Sequence, residues 1–477
     1  MDQGLPAAAG SSADAVNIAG RLERLPLSRF HVLACALVGT AMFFDGYDIA
    51  LTGLVMPSLV KVGLLAEPQR AWLISLSLLA AALGSALSGI IGDRYGRRKL
   101  IIANIVIYGL ASPACGLAQS YPTLLGLRML TMLALGMQIP AGYCYLSELV
   151  PKLHRGRMQS IVALLINGSL PAGALVAWLI VPNLPSDEGW RALFFLSALV
   201  LPLALSRPSV LPESPRWLAS AGRLAEADLG AAEIEKNLRA RGTVLSEPEP
   251  LPDPVQDLGW SALLTGGTRR RFALAVLFQI CQLSAVFIFA SWLPTILIGR
   301  GFDGASAFAL SGLSFAGGAL GPALAIGLSD RFERRRLLVA ASCLAAVAAF
   351  AYPLHASALW LTSLGLVLTT TIYFVSATGF GIYLPEILPT GVRLRGIGVA
   401  TLLGRMSSAL TPFAVSGALR LVDNPLSVVG GVGLLYLLMV PAFLFLGPDT
   451  AGRSLEALEH SDLTEQQSAL RSRYCLS

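Results

Sequence analysis

Runs of about twenty apolar residues recur from Phe30 to Leu446, and that length fixes what this chain can become. A helix needs about 20 residues to cross ~30 Å of hydrocarbon, and only helices and closed barrels satisfy their backbone hydrogen bonds there. Twelve such runs lie near 30–55, 71–91, 100–119, 122–147, 158–181, 190–206, 271–298, 305–328, 337–354, 357–384, 396–419 and 427–446. The expected fold is an all-α integral membrane protein with twelve transmembrane helices. With 55% hydrophobic and only 13% charged residues, the chain is too apolar for a soluble globule.

The net charge of +6 has a topological origin. Loops on one side carry Arg94, Arg97, Arg98, Lys99, Lys152, Arg155, Arg157, Arg331, Arg334, Arg335, Arg336, Arg393 and Arg395; the other side carries only Lys61, Arg70, Arg191, Arg300 and Arg420. Thirteen against five is the positive-inside asymmetry; it places both termini in the cytoplasm and implies no nucleic-acid partner. The first 28 residues, with Asp2, Asp14 and Glu23, lack the pattern of a cleavable signal peptide. Six cysteines and four scattered histidines have neither metal-ligand nor disulfide spacing, so no cofactor or metal is expected.

Six spans, a polar stretch and six more spans divide the chain. The expected layout is a cytoplasmic tail (1–28), a six-helix bundle (29–207), a cytoplasmic linker (208–270), a second bundle (271–447) and a cytoplasmic tail (448–477). Within the linker, Leu224–Arg241 suits a short amphipathic helix on the membrane face, and the linker's apolar content is too low for a core of its own. The halves repeat. Gly92-Asp-Arg-Tyr-Gly-Arg-Arg-Lys99 is echoed by Ser329-Asp-Arg-Phe-Glu-Arg-Arg-Arg336. Tyr145-Leu-Ser-Glu-Leu-Val-Pro151 with Arg155-Gly-Arg157 is echoed by Tyr383-Leu-Pro-Glu-Ile-Leu-Pro389 with Arg393-Leu-Arg-Gly396. Matched motifs at matched positions mark two pseudo-symmetric six-helix bundles.

Four charged residues lie deep within spans: Asp45, Asp48, Arg128 and Arg405. A carboxylate or guanidinium at that depth costs at least ~2.5 kcal/mol, so each calls for a partner or a task. Asp45 and Asp48, at i and i+3, share one helix face. The functional reading is proton coupling, with Asp48 alternating between surroundings and Arg128 as its partner; the structural alternative is a static pair joining spans one and four. Arg405, near Ser407 and Ser408, suits bidentate recognition of a substrate carboxylate. Phe287 and Phe289 in span seven, with Tyr373, Phe374 and Phe380 in span ten, are candidates for an aromatic wall.

On these motifs the chain resembles the major facilitator superfamily over roughly 30–450. The resemblance implies cytoplasmic latches built from Gly92, Asp93, Arg94, Gly96, Arg97 and Arg98, and from Asp330, Arg331 and Arg335. In them Asp93 and Asp330 pair with arginines or face a helix N-terminus, and Glu148 and Glu386 pair with Arg97, Arg98, Arg335 or Arg336. Sugar porters are resembled by Pro212-Glu-Ser-Pro-Arg-Trp-Leu218 and Pro448-Asp-Thr-Ala-Gly-Arg-Ser-Leu-Glu456. Their span-seven pattern Gln-Gln-x-Ser-Gly-x-Asn departs here to Cys281-Gln-Leu-Ser-Ala-Val-Phe287, keeping Gln282 but replacing hydroxyl-binding groups with apolar ones. Aromatic acid/proton symporters are resembled by Asp45-Gly-Tyr-Asp48, by Ser291-Trp-Leu-Pro-Thr-Ile-Leu297 and by Gly404-Arg405.

That branch implies proton-coupled uptake of a small organic anion, an aromatic carboxylate such as a hydroxybenzoate, by alternating access. Asp45, Asp48 and Arg128 would serve coupling; Arg405, Gln282, Tyr373 and Phe287 would serve the substrate. The alternatives are a sugar or other metabolite/proton symporter, a drug-efflux antiporter and a nutrient-sensing receptor. Efflux is disfavoured because Asn167-Gly-Ser-Leu-Pro-Ala-Gly173 lacks the Gly-Pro pair of antiporters. No nucleophile–base set or nucleotide-binding loop points to an enzyme. The expected setting is a bacterial inner membrane, with a monomer as the working unit.

Overall fold

A computed structural model describes residues 17–185, 188–207, 209–240, 242–251, 259–355, 357–421 and 424–459; His460, Cys475 and most of both tails lie outside them. The first half comprises α1 (Ile18–Glu23), α2 (Arg29–Leu54), α3 (Met56–Lys61), α4 (Glu67–Tyr95), α5 (Arg97–Gly116), α6 (Tyr121–Leu149), α7 (Arg155–Ile180) and α8 (Gly189–Leu196), which continues as a 3₁₀ segment to Leu205. The linker carries α9 (Pro215–Ser220) and α10 (Leu224–Arg239). The second half comprises α11 (Gly266–Gly299), α12 (Gly304–Phe315), α13 (Gly317–Leu328), α14 (Arg334–Ala351), α15 (Ala358–Val375), α16 (Leu384–Ile387), α17 (Arg393–Leu421) and α18 (Gly430–Leu446).

Ten helical segments among the described residues are long and apolar enough to cross a membrane. The shorter apolar segment Gly189–Leu205 and α17, whose Gly, Ser and Arg residues dilute its hydropathy, complete twelve spans. The eighth span is broken into α12 and α13 at Ala316. In the tenth, α15 passes through a π-helical segment, Ser376–Tyr383, before α16.

Lipid offers helices little hydrophobic reason to associate, so close packing and small residues carry the contacts. Within the first half, a Cβ on Gly84 would stand 2.1 Å from the Leu133 carbonyl oxygen, and one on Gly136 2.1 Å from that of Ala81. Between the halves, α4 meets α17 and α7 meets α13. A Cβ on Gly89 would stand 2.3 Å from the Arg395 Cα, and one on Gly398 2.3 Å from the Ser85 carbonyl oxygen. The π segment joins this seam: the Phe380 and Tyr143 rings meet edge to face at 5.4 Å. These contacts lie towards the arginine-rich loops, so that end, called the basic end below, is closed.

The linker departs from the sequence expectation. The apolar stripe of α10, with Ala227, Ala231, Ile234 and Leu238, does not lie on the membrane; it packs with Trp217 and Leu218 of α9 and with Ile18, Leu22 and Leu25. The linker borrows apolar residues from the N-terminal segment and so acquires the small core that its own composition lacks. Arg21 and Arg24 fasten the cluster to Glu235 at 2.9 and 2.6 Å.

The glycine seam makes a test. Gly398→Val overpacks it, which costs about 1–3 kcal/mol against the closed basic end. Ser88, fully buried at the seam, is the reporter: Ser88→Cys, in a chain with Cys343 and Cys475 replaced, labels with a maleimide about tenfold faster when Gly398→Val is added. Unchanged labelling would mean that the seam does not hold this end shut.

Candidate substrate and gating site

The two acids of α2 occupy different surroundings. Asp48 is fully buried and its carboxylate binds the Arg128 guanidinium of α6 at 2.5 Å. Arg128 also donates to the Asp48 carbonyl at 2.8 Å and to the Thr52 hydroxyl, and lies over the Phe194 ring at 5.6 Å. The hydroxyls of Ser112 and, at 3.3 Å, Ser197 also donate to the Asp48 carboxylate. Asp45, one turn earlier, is equally buried but faces no basic side chain among the described residues. Its oxygens make no hydrogen bond of ordinary geometry, and its polar neighbour, the Tyr108 hydroxyl, donates to the Ala41 carbonyl at 3.2 Å.

In the second half, α11 and α17 pack closely enough that a Cβ on Gly404 would stand 2.6 Å from the Gln279 carbonyl oxygen. That approach brings Ser284 within 2.8 Å of Ser407 and Gln279 within 2.6 Å of Thr401. Arg405, next along α17, pairs with no acid among the described residues, and its Nε is buried without a hydrogen bond. Gln282 differs: its amide donates to the Ile372 carbonyl at 3.0 Å and accepts from the Tyr436 hydroxyl at 2.9 Å, so both ends are occupied by its own half. Phe287 and Tyr373 are half-buried, Tyr373 against Gly318. Phe289 packs on Phe315 and Tyr352 inside the half and contributes to its core.

The gating motifs form two matched networks at the basic end. Glu148 of α6 lies 3.5 Å from Arg97 of its own half and 3.3 Å from Arg393 of the other. Glu386 of α16 lies 3.0 Å from its own Arg334 and 3.4 Å from Arg155 of the first half. Each crossing arginine also has an acid from a chain end: Arg393 has Glu459 at 3.7 Å, and Arg155 has Glu23 at 3.0 Å. Asp93 pairs with Arg97 at 2.7 Å and with Arg395 across the seam. Asp330 accepts from the backbone N–H groups of Gly156 and Arg157, both at 2.8 Å, at the positive N-terminus of α7.

Glu23 further joins Arg216 of the linker at 2.6 Å, and Arg216 joins Glu456 at 2.8 Å. Burial alone would raise the Glu23 pKa, but Arg216 and Arg155 reverse it and hold the carboxyl below its usual range. Its stabilising charge is therefore present above the ordinary carboxylate range and fades only as pH falls through the depressed value, so the clasp stays ionised near neutrality.

Two expected pairings are corrected. Glu386 pairs with Arg334, not with Arg335 or Arg336; Arg335 turns to Asp449 at 2.8 Å. Glu148 pairs with Arg97 and Arg393, not with Arg98. Successive residues of a helix are rotated by about 100°, so neighbouring arginines at a helix start face different partners. The repeat register held the signal, since Arg334 is the counterpart of Arg97 and Arg393 that of Arg155. Arg94 stacks on Tyr95, and Arg331 and Arg336 are exposed.

Gly96 takes φ +104°, a conformation L side chains rarely adopt, and leaves room for Glu213. That carboxylate accepts from the Arg97 and Arg98 backbone N–H groups at 2.8 and 3.0 Å, capping α5. In the second copy Glu333 replaces the glycine with φ −62°, and its carboxylate binds the Thr450 N–H at 2.9 Å instead. Glu213, Glu23, Glu456 and Glu459 were not among the expected gating residues because their partners are distant in sequence.

The pairing predicts opposite behaviour for the two acids. Asp48→Asn strands the buried Arg128 and lowers unfolding stability in detergent by about 3–5 kcal/mol. Asp45→Asn removes no ionic partner and leaves stability within about 1 kcal/mol of the parent. Thermal unfolding monitored by tryptophan fluorescence measures both; equal losses would contradict the division of the pair.

A family model described as "Sugar (and other) transporter" matches residues 32–461. Among curated relatives, a putative metabolite transport protein of Escherichia coli is 29% identical, covering 92% of this chain and 96% of that one. A niacin transporter of Acinetobacter baylyi is 26% identical, covering 93% and 100%. A gallate transporter of Pseudomonas putida is 29% identical, covering 90% and 93%. Among solved structures, a proton:xylose symporter of the major facilitator superfamily superposes with a TM-score of 0.76 at 18% identity, covering 91% and 99%. This likeness supports the shared fold.

Proposed function

The chain belongs to the sugar (and other) transporter family of the major facilitator superfamily, and from that premise we propose that it takes up a small aromatic carboxylate together with protons. The observation that carries the reading is the guanidinium of Arg405, set in the middle of a span with no acid to pair it among the described residues. A guanidinium within a membrane span, with no acid to pair it among the described residues, is costly, and a carboxylate held by two parallel hydrogen bonds is its natural counter-charge. Niacin and gallate, the compounds named for two of the relatives, are both aromatic rings bearing a carboxylate.

In this reading the basic end faces the cytoplasm and the closed seam holds an outward-facing state. The acid enters from the opposite end and binds Arg405, with Tyr373 and Phe287 beside its ring. Asp45, paired with no cation among the described residues, takes up and releases the proton, while the Asp48–Arg128 pair fixes the helices around it. Opening the basic end breaks the crossing arms of the two Arg–Glu–Arg networks, the Asp93–Arg395 pair and the Asp330 contacts with α7; Glu148 keeps Arg97, Glu386 keeps Arg334 and Asp93 keeps Arg97.

A sugar/proton symporter is the second reading, favoured by the family description. A sugar would need free donors and acceptors, and Gln279 and Gln282 already bond Thr401, Ile372 and Tyr436.

Uptake into proteoliposomes decides between them, using 4-hydroxybenzoate, protocatechuate, nicotinate, gallate, a short aliphatic acid, a hexose and a lipophilic cation, with and without an inward proton gradient. Gradient-driven accumulation of an aromatic acid is expected. Loss of a charged hydrogen bond costs about 1.5–3 kcal/mol, so Arg405→Gln raises the KM for that acid about tenfold to a hundredfold. Asp45→Asn abolishes accumulation against a gradient while preserving exchange of labelled for unlabelled acid. Hexose uptake insensitive to Arg405→Gln would overturn the reading.

A further inference from the structure

A second cluster of guanidinium groups stands outside both the substrate site and the crossing arms of the gate. At the basic end of the second half, a cavity of about 410 Å³ lies between the first turn of α11 and the end of α18. Arg270, Arg271, Arg335 and Arg453 line it, and Asp449 is the one acid in its wall. Arg335 is bound to Asp449 at 2.8 Å and to the Gly447 carbonyl at 3.1 Å. Arg271 donates to the Ile387 and Leu458 carbonyls, both at 3.1 Å. Arg270 and Arg453 are exposed, and no acid pairs with either among the described residues. Arg270 and Arg453, added to the Arg335–Asp449 pair, leave a positive field at the mouth of the recess.

The recess is built. The Tyr383 hydroxyl donates to the Pro448 carbonyl at 2.8 Å, and the Glu333 carboxylate accepts from the Thr450 N–H at 2.9 Å. Gly452, at φ +69°, then turns the chain so that Arg453 joins the rim. Phe445 and Leu444, on the last turn of a membrane-crossing helix, line the same cavity and are 82% and 49% exposed. Cationic and apolar groups therefore share one rim where hydrocarbon gives way to water. A soluble anion would satisfy the arginines and leave the apolar pair uncovered; a lipid satisfies both, its phosphate on the guanidinium groups and its acyl chains on Phe445 and Leu444.

We propose that this cavity binds the headgroup phosphate of an anionic phospholipid from the leaflet at the basic end, with Arg270 and Arg453 as its mobile clamps. Each arginine near an anionic membrane surface favours binding by about 1 kcal/mol, so removing both weakens retention about twentyfold to thirtyfold. The test is native mass spectrometry of the full chain released from micelles doped with phosphatidylglycerol or with phosphatidylcholine. The parent is expected to retain phosphatidylglycerol and not phosphatidylcholine. Arg270→Gln/Arg453→Gln is expected to lose that retention by about the stated factor. Lys236→Gln/Arg239→Gln, on the exposed face of α10, removes the same charge away from the cavity and is expected to retain phosphatidylglycerol like the parent. Equal retention of both lipids, or undiminished retention by the cavity variant, would overturn the assignment. Displacement of phosphatidylglycerol by millimolar inorganic phosphate would also overturn it, marking the recess as a site for a soluble anion.

Discussion

The closed end of this transporter rests on a buried acid shared between two arginines, one from each half. Glu148 stands between Arg97 and Arg393, and Glu386 between Arg334 and Arg155. Buried ion pairs contribute little net stability, because desolvation offsets attraction, but a buried charge stripped of every partner is very costly. The arrangement avoids that outcome in both states. When the halves part, each glutamate keeps its own arginine, and each crossing arginine keeps an acid from a chain end, Glu459 for Arg393 and Glu23 for Arg155. The network therefore favours one conformer without trapping it.

The same economy explains why the linker and both chain ends fold against the basic end. Arg216 in α9 links Glu23 before the first span to Glu456 after the last, and donates to the Glu148 carbonyl at 2.7 Å. Glu213 caps α5 and occupies the space Gly96 leaves open. Segments that a hydropathy reading sets aside as connections thus supply half of the counter-charges in the gate. Their small apolar cluster, which includes Trp217 and Ile234, packs α9, the carrier of Arg216, against the N-terminal segment that contains Glu23.

Deeper in the bundle the charges are arranged on the opposite principle. Asp48 and Arg128 neutralise each other, whereas Asp45 in the first half and Arg405 in the second have no ionic partner among the described residues. In the proposed reading that acid and that base, one in each half, serve the proton and the substrate carboxylate.

Twelve spans, the duplicated half and the short list of intramembrane charges were legible in the sequence, because burying a helix in lipid demands long apolar runs and makes every exception conspicuous. The motif echo also located the acids of the gate, since loop glycines and arginines recur in register. What the sequence could not decide was the partner of each charge. Asp45 and Asp48 look alike as i and i+3 on one face, and only the approach of α6 gives Arg128 to one of them. Arg334 and Arg335 are chemically identical neighbours, and only the packing of α14 sends one to Glu386 and the other to Asp449. Gln282 reads as a pocket residue until the positions of Ile372 and Tyr436 occupy its amide. Periodicity and solvation act along the chain and so are written in it, whereas pairing depends on distances of a few ångströms between helices far apart in sequence, which only tertiary packing sets.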